Sequence, residues 1–331
     1  MPTTAPPARS PEASKPPTAR RGAGLIEDPA TPRRPRRRKG GASRQGRAAW
    51  ILSLPFMLLF VVFTAWPVIS SLYFSLTDIK ARDLRTPFEV SFVGLENYAQ
   101  VFGDERFRTA AFNTAYFVIV GVPLTLGIAL AAALALNKGI TKFRSLFRVG
   151  YYTPVVTSIV AVAVVWRFLL REDVGLVNNV LGWFGVQGPD WLGSTTWAMP
   201  SLIVMASWRN FGTAMIIFLA GLQSVPVVLH EAASIDGASG WQRFRHITVP
   251  LLRPTILFVM VTTVIGYVQF FEEPFVMTNG GPLDSTVSMS MFTYRQFGFG
   301  NYGFASATSY VLFVIIVCLT AVQFRSLRSN T

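Results

Sequence analysis

Apolar residues are concentrated in six stretches along the chain, and polar segments separate them. A helix that crosses a membrane needs about 20 mostly apolar residues. Lipid offers the backbone no hydrogen-bonding partners, so stretches of this kind are expected to be helices, and their internal prolines predict kinks. The six predicted spans are residues 50–76, 111–136, 149–170, 197–221, 252–275 and 304–324.

The composition supports a membrane protein. Hydrophobic residues make up 51% of the 331 residues and charged residues 14%, whereas a soluble domain carries about 25% charged residues. We therefore expect an all-α membrane protein with a single domain from 48 to 326. The chain has two histidines and one cysteine, Cys318, which is too few for a His/Cys metal site and excludes an intrachain disulfide. We expect no bound metal.

Much of the net charge of +13 lies at the N-terminus, because residues 1–47 hold twelve Lys/Arg and three acids. This segment is rich in proline and poor in apolar residues, so we expect a disordered basic cytoplasmic tail near anionic lipid headgroups. No aromatic residues interleave the arginines, which argues against a nucleic-acid partner. Residues 327–331 are expected to form a short cytoplasmic C-terminal end.

The distribution of basic residues predicts the orientation. The N-terminal tail, the segments 137–148 and 223–253 and the C-terminal end together hold twenty-one Lys/Arg, and the alternate loops 77–110, 171–196 and 276–303 hold seven. Basic loops stay on the cytoplasmic side. Both termini are thus predicted to be cytoplasmic, in a multi-pass protein of the bacterial inner membrane.

Motifs for catalysis are missing from the sequence. The dipeptide Gly-Lys does not occur, so there is no Walker-type phosphate loop, and no nucleophile or metalloprotease motif is present. We expect no catalytic residues and no ATPase site in this chain. GFGNYG, at 298–303, matches the letters of a dinucleotide fingerprint, but it precedes a membrane span, and we interpret it as a tight turn.

One polar segment, EAASIDGASGWQRFRHITVP at 231–250, lies between two apolar runs. Ser224 before Pro226 suggests the start of a short helix, and Gly237 permits a sharp turn after it. Ser239 and Gln242 match a capping box, which predicts a second short helix with Trp241 and Phe244 on one stripe. A lipid-bound amphipathic helix is one interpretation. The small alanine ridge favours the other, docking into a groove on a protein.

The same segment resembles the Glu-Ala-Ala loop of the membrane subunits of bacterial ABC importers. Val249 stands where that pattern usually has Leu, an apolar exchange. In that family the loop is a coupling helix seated in a cleft of the cytoplasmic ATPase, so the resemblance implies that Glu231 makes a polar contact with that subunit. The residues it assigns to ATPase coupling are Glu231, Ala232, Ala233, Asp236, Gly237, Ile247 and Pro250.

Within this family the chain is similar to the maltose-transporter-type sugar permeases. FVGLENY at 92–98, the Glu-Ala-Ala-x-x-Asp-Gly-Ala form of the loop and FFEEPFVMTNGGP at 270–282 carry the similarity, which covers about 48–326. It implies a six-helix type I ABC importer transmembrane domain that forms half of a sugar pathway. The implied partners are a second homologous permease, a cytoplasmic ABC ATPase dimer that uses ATP and Mg, and an extracellular lipid-anchored or periplasmic sugar-binding protein.

Polar and aromatic groups at membrane depth are the candidates for the substrate pathway. Such groups are costly in lipid, and sugars are bound by hydrogen-bonding side chains and aromatic faces. Alternatives to a substrate contact stay open for three of the candidates. Arg209 is also interpreted as a structural ion-pair partner of Glu272 or Glu273. Thr157 and Ser158 are also interpreted as small residues that let helices approach closely. The candidates are Trp208, Arg209, Asn210, Tyr267, Gln269, Phe271, Glu272, Thr157 and Ser158.

Other functions compete with sugar import. ABC import of glycerol-phosphate-type compounds is compatible with the same motifs. An ion-coupled secondary transporter would need an internal repeat, which the sequence lacks, and it would leave the 231–250 segment without a role. A membrane enzyme would need clustered His or Asp residues at one membrane face, and these are also lacking.

Overall fold

The structure is a computed structural model that describes residues 41–86, 90–138 and 144–328. Most of the predicted basic tail lies outside these residues. Contacts divide the chain into a unit of residues 1–58, described from Gly41 onward, and a unit of residues 59–331. The first unit is helical where described, and its helix begins at Gly41, inside the segment predicted as tail.

The regular elements of the described ranges are helices, together with one isolated β-bridge between Thr77 and Phe92. This agrees with the predicted all-α class. The helices are α1 Gly41–Phe60, α2 Trp66–Ser75, α3 Glu96–Gly103, α4 Glu105–Lys138, α5 Arg144–Val156, α6 Ile159–Leu169, α7 Leu176–Trp183, α8 Ala198–Gln223, α9 Val227–Ile235, α10 Gly240–Arg243, α11 Val249–Leu251, α12 Arg253–Val268, α13 Glu272–Met277, α14 Met289–Gly298 and α15 Tyr302–Arg328. Val61–Ala65 and Phe244–Thr248 are π-helical, and Ala81–Arg85 is a 3-10 helix.

Six candidate membrane spans emerge when bent helices are included. Four unbroken segments are long and apolar enough by themselves: Ala49–Ser75, Glu105–Asn137, Ala198–Gln223 and Tyr302–Arg325. Two bent pairs meet the same test when joined, Val149–Val156 with Ile159–Leu169 and Gly240–Leu251 with Arg253–Val268. The predicted number of spans is therefore reached when each bent pair counts as one.

The third and fifth predicted spans are not single helices. The third bends by 104° between α5 and α6, where Ser158 leaves the helical conformation with ψ at 126°. The fifth ends at Val268, and a short helix restarts at Glu272. Pro274 lies in the first turn of this second helix, a position that proline tolerates because its missing N–H would have no intrahelical partner there.

Helix α8 is the most buried of the candidate spans. Within its most apolar stretch 61% of the residues are buried, against 33% in α4 and 28% in α15. Phe218 and Met215 of α8 form one core cluster with Leu136 of α4. A second cluster joins α8 to α4 and α12, and in it the rings of Phe117 and Phe270 stack with centroids 3.9 Å apart.

The FVGLENY motif closes the loop after α2. Gly94 has a φ of 60°, which favours glycine, and α3 starts two residues later. The buried Asn97 side chain donates hydrogen bonds from Nδ2 to the carbonyl oxygens of Ser75 (2.9 Å) and Thr77 (2.8 Å). The motif thus satisfies backbone carbonyls at the C-terminal end of the first predicted span.

The Asn-Gly-Gly-Pro segment forms a turn after α13 that two other helices hold. Asn279 and Asp284 both adopt left-handed conformations, with φ of 50° and 58°. Arg295 of α14 lies 2.9 Å from the carboxylate of Asp284 and donates a second hydrogen bond to the carbonyl of Asn279. Asn113 of α4 donates to the carbonyl of Asp284 at 2.9 Å. These bonds fix the position of α13, which precedes the turn.

Replacing Asn97 with leucine should destabilise the chain, because two buried carbonyl oxygens lose their donor. We expect the free energy of unfolding to fall by about 1–3 kcal/mol, measured as a lower unfolding temperature in detergent. Gln100→Leu is the control, since Gln100 is exposed on the same helix. Equal unfolding temperatures for the two variants would contradict this role of Asn97.

Candidate functional site

Helix α9 ends in a Schellman motif at Gly237. The Gly237 N–H donates to the carbonyl of Ser234 (3.2 Å), and the Ala238 N–H donates to the carbonyl of Ala233 (2.9 Å). Gly237 has a φ of 78°, and open space surrounds the position that a Cβ would occupy. Backbone conformation alone therefore requires glycine here. The predicted turn after the first short helix is present.

The second short helix begins with the predicted capping box. The Ser239 N–H donates to Gln242 Oε1 at 2.7 Å, and the Gln242 N–H donates to Ser239 Oγ at 3.3 Å. The rings of Trp241 and Phe244 lie 5.4 Å apart, as their spacing indicates. The helix continues through the π-helical segment, which contains Ile247, and α11, which contains Pro250.

The start of α9 differs from the prediction. Ser224 is the C-cap of α8 rather than a cap of α9, and its hydroxyl donates to the carbonyl of Gly221 at 2.7 Å. Pro226 has an extended conformation, and α9 begins at Val227. A serine two residues before a proline is compatible both with the end of α8 and with the start of α9. No sequence signal indicates that α8 extends as far as Gln223.

One face of α9 is entirely exposed. Val228, Glu231, Ala232 and Ile235 follow helical spacing and lie on this face, which we call the α9 face. Ile235 is 86% exposed, and α9 has no buried residue. Among the described residues, no ion pair involves Glu231 or Asp236. An apolar face with free carboxylates beside it is typical of a surface that contacts another protein.

A second candidate site is a polar cavity of about 330 Å³ between α8 and α12. Residues at helical spacing on each helix form its walls, and the start of α13 contributes two glutamates. Its lining comprises Arg209, Asn210, Thr213, Ala214 and Ile217 of α8, Val259, Thr262, Thr263, Gly266 and Tyr267 of α12, and Ile159, Gln269, Phe270, Glu272 and Glu273.

Hydrogen bonds link this cavity to α4. The Tyr267 hydroxyl lies 2.6 Å from Thr125 Oγ1, which in turn lies 3.0 Å from Ser207 Oγ. All three residues are buried. Asn210 donates from Nδ2 to the carbonyl of Ala206 at 2.9 Å, which orients its amide group. The network fixes Tyr267 and connects α4, α8 and α12 beside the cavity.

The charged groups of the cavity are not paired with each other. Within the described residues, Arg209 has no carboxylate within ion-pair distance, so the interpretation of Arg209 as an ion-pair partner of Glu272 or Glu273 is wrong. Arg209 Nε and Glu273 Oε2 are buried and have no hydrogen-bonding partner among the residues that the structure describes. Glu273 is 6% exposed, whereas Glu272 is exposed to solvent.

The structure places five of the nine predicted pathway residues together in the cavity lining and four elsewhere. Trp208 faces Trp166, with centroids 5.6 Å apart, and lines a separate apolar cavity together with Thr157. Ser158 lies at the bend before α6. Phe271 packs against Phe275 and Tyr294. The residues found together are Arg209, Asn210, Tyr267, Gln269 and Glu272.

Several lining residues are absent from the sequence prediction. Thr213 and Ile217 follow Asn210 by three and seven residues, and Thr263 precedes Tyr267 by four. Helical spacing from the polar anchors would have found them. Trp208 lies next to Arg209 in the sequence but does not line the cavity. Helical spacing alone does not tell which face of α8 is turned toward the cavity, so it could not exclude Trp208 beforehand.

These features define a class of protein: an integral membrane transport subunit with a polar cavity between its helices and an exposed helix–turn–helix outside them. The chain belongs to the family of binding-protein-dependent transport system inner membrane components, whose family model matches residues 124–327. It is a multi-pass permease subunit of an ABC importer.

Related permeases match most of the chain. The arabinooligosaccharides transport system permease protein of Halalkalibacterium halodurans is 34% identical over 83% of this chain and 85% of its own length. The lactose transport system permease protein of Rhizobium radiobacter is 34% identical, with 85% and 94% covered. The sn-glycerol-3-phosphate transport system permease protein of Agrobacterium fabrum is 32% identical, with 83% and 93% covered.

Solved structures agree with the fold. A chain of a bacterial ABC transporter that imports the acidic polysaccharide alginate matches with a TM-score of 0.74 and 24% identity, covering 88% of this chain and 98% of that one. The alginate transporter in complex with its alginate pentasaccharide-bound periplasmic protein gives a TM-score of 0.73 and 24% identity, with 89% and 98% covered. At this identity the likeness establishes the architecture of the chain.

Replacing Tyr267 with phenylalanine should weaken the packing of the cavity wall, because Thr125 loses a buried hydrogen-bonding partner. Side-chain hydrogen bonds between membrane helices contribute about 0.6–1.7 kcal/mol, so we expect a small but measurable fall in the unfolding temperature in detergent. Tyr116→Phe makes the same change at an exposed position of α4 and should have no effect. An unchanged unfolding temperature for Tyr267→Phe would show that the bond to Thr125 adds no stability.

Proposed function

We propose that the chain forms one half of an import pathway for a sugar or oligosaccharide. The observation that carries the proposal is the cavity between α8 and α12, whose neutral lining groups include Asn210, Gln269 and Thr213. Amide and hydroxyl groups suit the hydroxyls of a sugar, and the rings of Tyr267 and Phe270 supply apolar contact. The arabinooligosaccharide and lactose permeases among the relatives support the same class of cargo.

The α9 face is the proposed contact with a cytoplasmic ATPase. Its exposed apolar residues would be unfavourable as a bare surface, and together with the unpaired carboxylates they suit a groove on a partner. In this assignment Glu231 makes the central polar contact, and the turn at Gly237 sets the angle between α9 and α10. Ala232 and Ala233 keep the helix slim, and Asp236, Ile247 and Pro250 complete the coupling segment.

Transport in this scheme alternates between two states of the assembly. A second homologous permease completes the pathway, and an extracellular lipid-anchored or periplasmic binding protein delivers the sugar. The partner ATPase binds and hydrolyses ATP with Mg, and its movement displaces α9. This displacement shifts the permease pair between outward- and inward-facing states. Both termini and the 231–250 segment lie in the cytoplasm, as the basic residues indicate.

Import of glycerol-phosphate-type compounds is the second candidate, supported by the sn-glycerol-3-phosphate permease among the relatives. The direct test of cargo is titration of the cognate binding protein with a panel of sugars and glycerol phosphates, followed by uptake into vesicles that contain the whole importer. ATP-dependent uptake of a sugar supports the first proposal. Uptake of glycerol phosphate alone would replace it with the second, and uptake driven by an ion gradient without ATPase would contradict both.

Replacing Glu231 with alanine should uncouple the chain from its ATPase. Losing one hydrogen bond to a charged group costs about 1.5–3 kcal/mol, which corresponds to a tenfold or greater loss of affinity between the permease and the ATPase. We expect less ATPase to co-purify and sugar uptake to fall in proportion. Glu105→Ala, at an exposed glutamate at the start of α4, is the matched control and should leave both unchanged. Normal uptake and normal co-purification in Glu231→Ala would exclude this role for the α9 face.

A further inference from the structure

Acidic groups outnumber basic groups in the wall of the cavity. Its charged residues are the guanidinium of Arg209 and the carboxylic groups of Glu272 and Glu273. The other polar groups of the lining are hydroxyls and amides. Any charge discrimination by the cavity therefore depends on these three side chains.

Glu273 is the least exposed of the three. It is 6% exposed, and its Oε2 atom has no hydrogen-bonding partner. A buried acceptor of this kind is unfavourable unless a donor reaches it. No side-chain nitrogen of Arg209 lies within ion-pair distance of a carboxylate in the described part of the chain, so no described residue of this chain supplies that donor.

The missing donor indicates the chemistry of the cargo. Every hydroxyl of a neutral sugar carries an O–H that can donate to Oε2, and an amino sugar adds N–H donors. An ionised carboxylate, phosphate or sulfonate offers acceptors alone. It could accept from the unpartnered Nε of Arg209 but could not donate to Glu273 Oε2, whereas a sugar hydroxyl can do both. Leaving buried groups unpaired or placing like charges together is an effective way to reject a ligand.

We propose that Glu273 makes the cavity selective for sugars without acidic groups, with its carboxylic group accepting a hydrogen bond from a sugar hydroxyl and Glu272 adding to the rejection of anions. This inference rests on the proposed function, since it assigns a substrate class to the same cavity. It separates this chain from relatives named for glycerol phosphate and from the solved alginate importer.

Binding to the purified importer, assembled with its partner permease and ATPase but without the binding protein, tests the inference directly. The probes are maltose, lactose and cellobiose, each compared by saturation-transfer NMR with the uronate in which one primary alcohol is a carboxylate. In the native importer at least one neutral sugar should bind about tenfold more tightly than its uronate.

Glu273→Gln should weaken the binding of the neutral sugar. We expect the ratio of the affinity for the neutral sugar to the affinity for its uronate to fall by about tenfold. Glu273→Asp keeps a carboxylic group and should retain part of the selectivity. Glu272→Gln, at the exposed neighbour, should narrow the ratio by about threefold, because the charge acts through solvent. It supplies the test if Glu273→Gln does not fold. Glu105→Gln removes an exposed glutamate outside the cavity and should leave the ratio unchanged.

The outcomes separate the two proposals. If the native importer transports a neutral sugar but binds the uronate equally well, or if the glutamine variants leave the ratio unchanged, the selectivity inference is wrong and sugar import stands. If the native importer neither binds nor transports any of these sugars or those bound by its binding protein, the proposed function fails, and the inference fails with it.

Discussion

The close approach of α8 to its neighbours is the constraint on which the rest of the unit 59–331 depends. A Cβ on Gly212 would overlap the carbonyl oxygen of Tyr151 in α5, and a Cβ on Gly221 would lie 2.7 Å from Thr255 Oγ1 in α12. Small residues let membrane helices pack through backbone contact where lipid supplies no hydrophobic driving force. Larger side chains at these two glycines would push α5 and α12 away from α8. The cavity lies between the same two helices, α8 and α12.

Helix α8 also connects the two candidate sites. Its residues from Arg209 to Ile217 line the cavity, and the helix ends at Gln223, only three residues before α9 begins at Val227. The hydroxyl of Ser224 satisfies the carbonyl of Gly221, so the last turn of α8 stays ordered up to the connection. A short connection transmits displacement better than a long flexible one. Movement of α9 would therefore reach the cavity wall through one rigid element, as the proposed coupling to a partner ATPase needs.

Features set by local rules could be predicted from the sequence, and features set by packing could not. The apolar runs, the turn at Gly237 and the capping box of Ser239 and Gln242 follow from hydrophobicity, left-handed conformation and short-range hydrogen bonds. The bend at Ser158 and the end of α12 at Val268 depend on tertiary contacts as well as on prolines. The orientation of Trp208 away from the cavity depends on which face of α8 meets α12. A single sequence carries no information on that choice, and so only five of the fifteen residues that line the cavity were predicted.

The charged side chains of the described residues divide by how they are satisfied. Arg295 with Asp284 and Arg171 with Asp173 form local ion pairs within loop regions. Glu231 and Asp236 have no ion pair but are exposed, where water solvates them at little cost. Arg209 and Glu273 combine burial with unsatisfied atoms, and each such atom costs about 1–3 kcal/mol. Ser285 and Gln323 also have a buried atom without a partner, but they are neutral and lie outside the cavity. An ionisable group whose polar atom stays unpartnered inside a cavity lowers the stability of the empty protein and raises its affinity for a ligand that supplies the missing partner. That balance is the physical reason to place cargo recognition at Arg209 and Glu273 rather than at the better-satisfied polar groups around them.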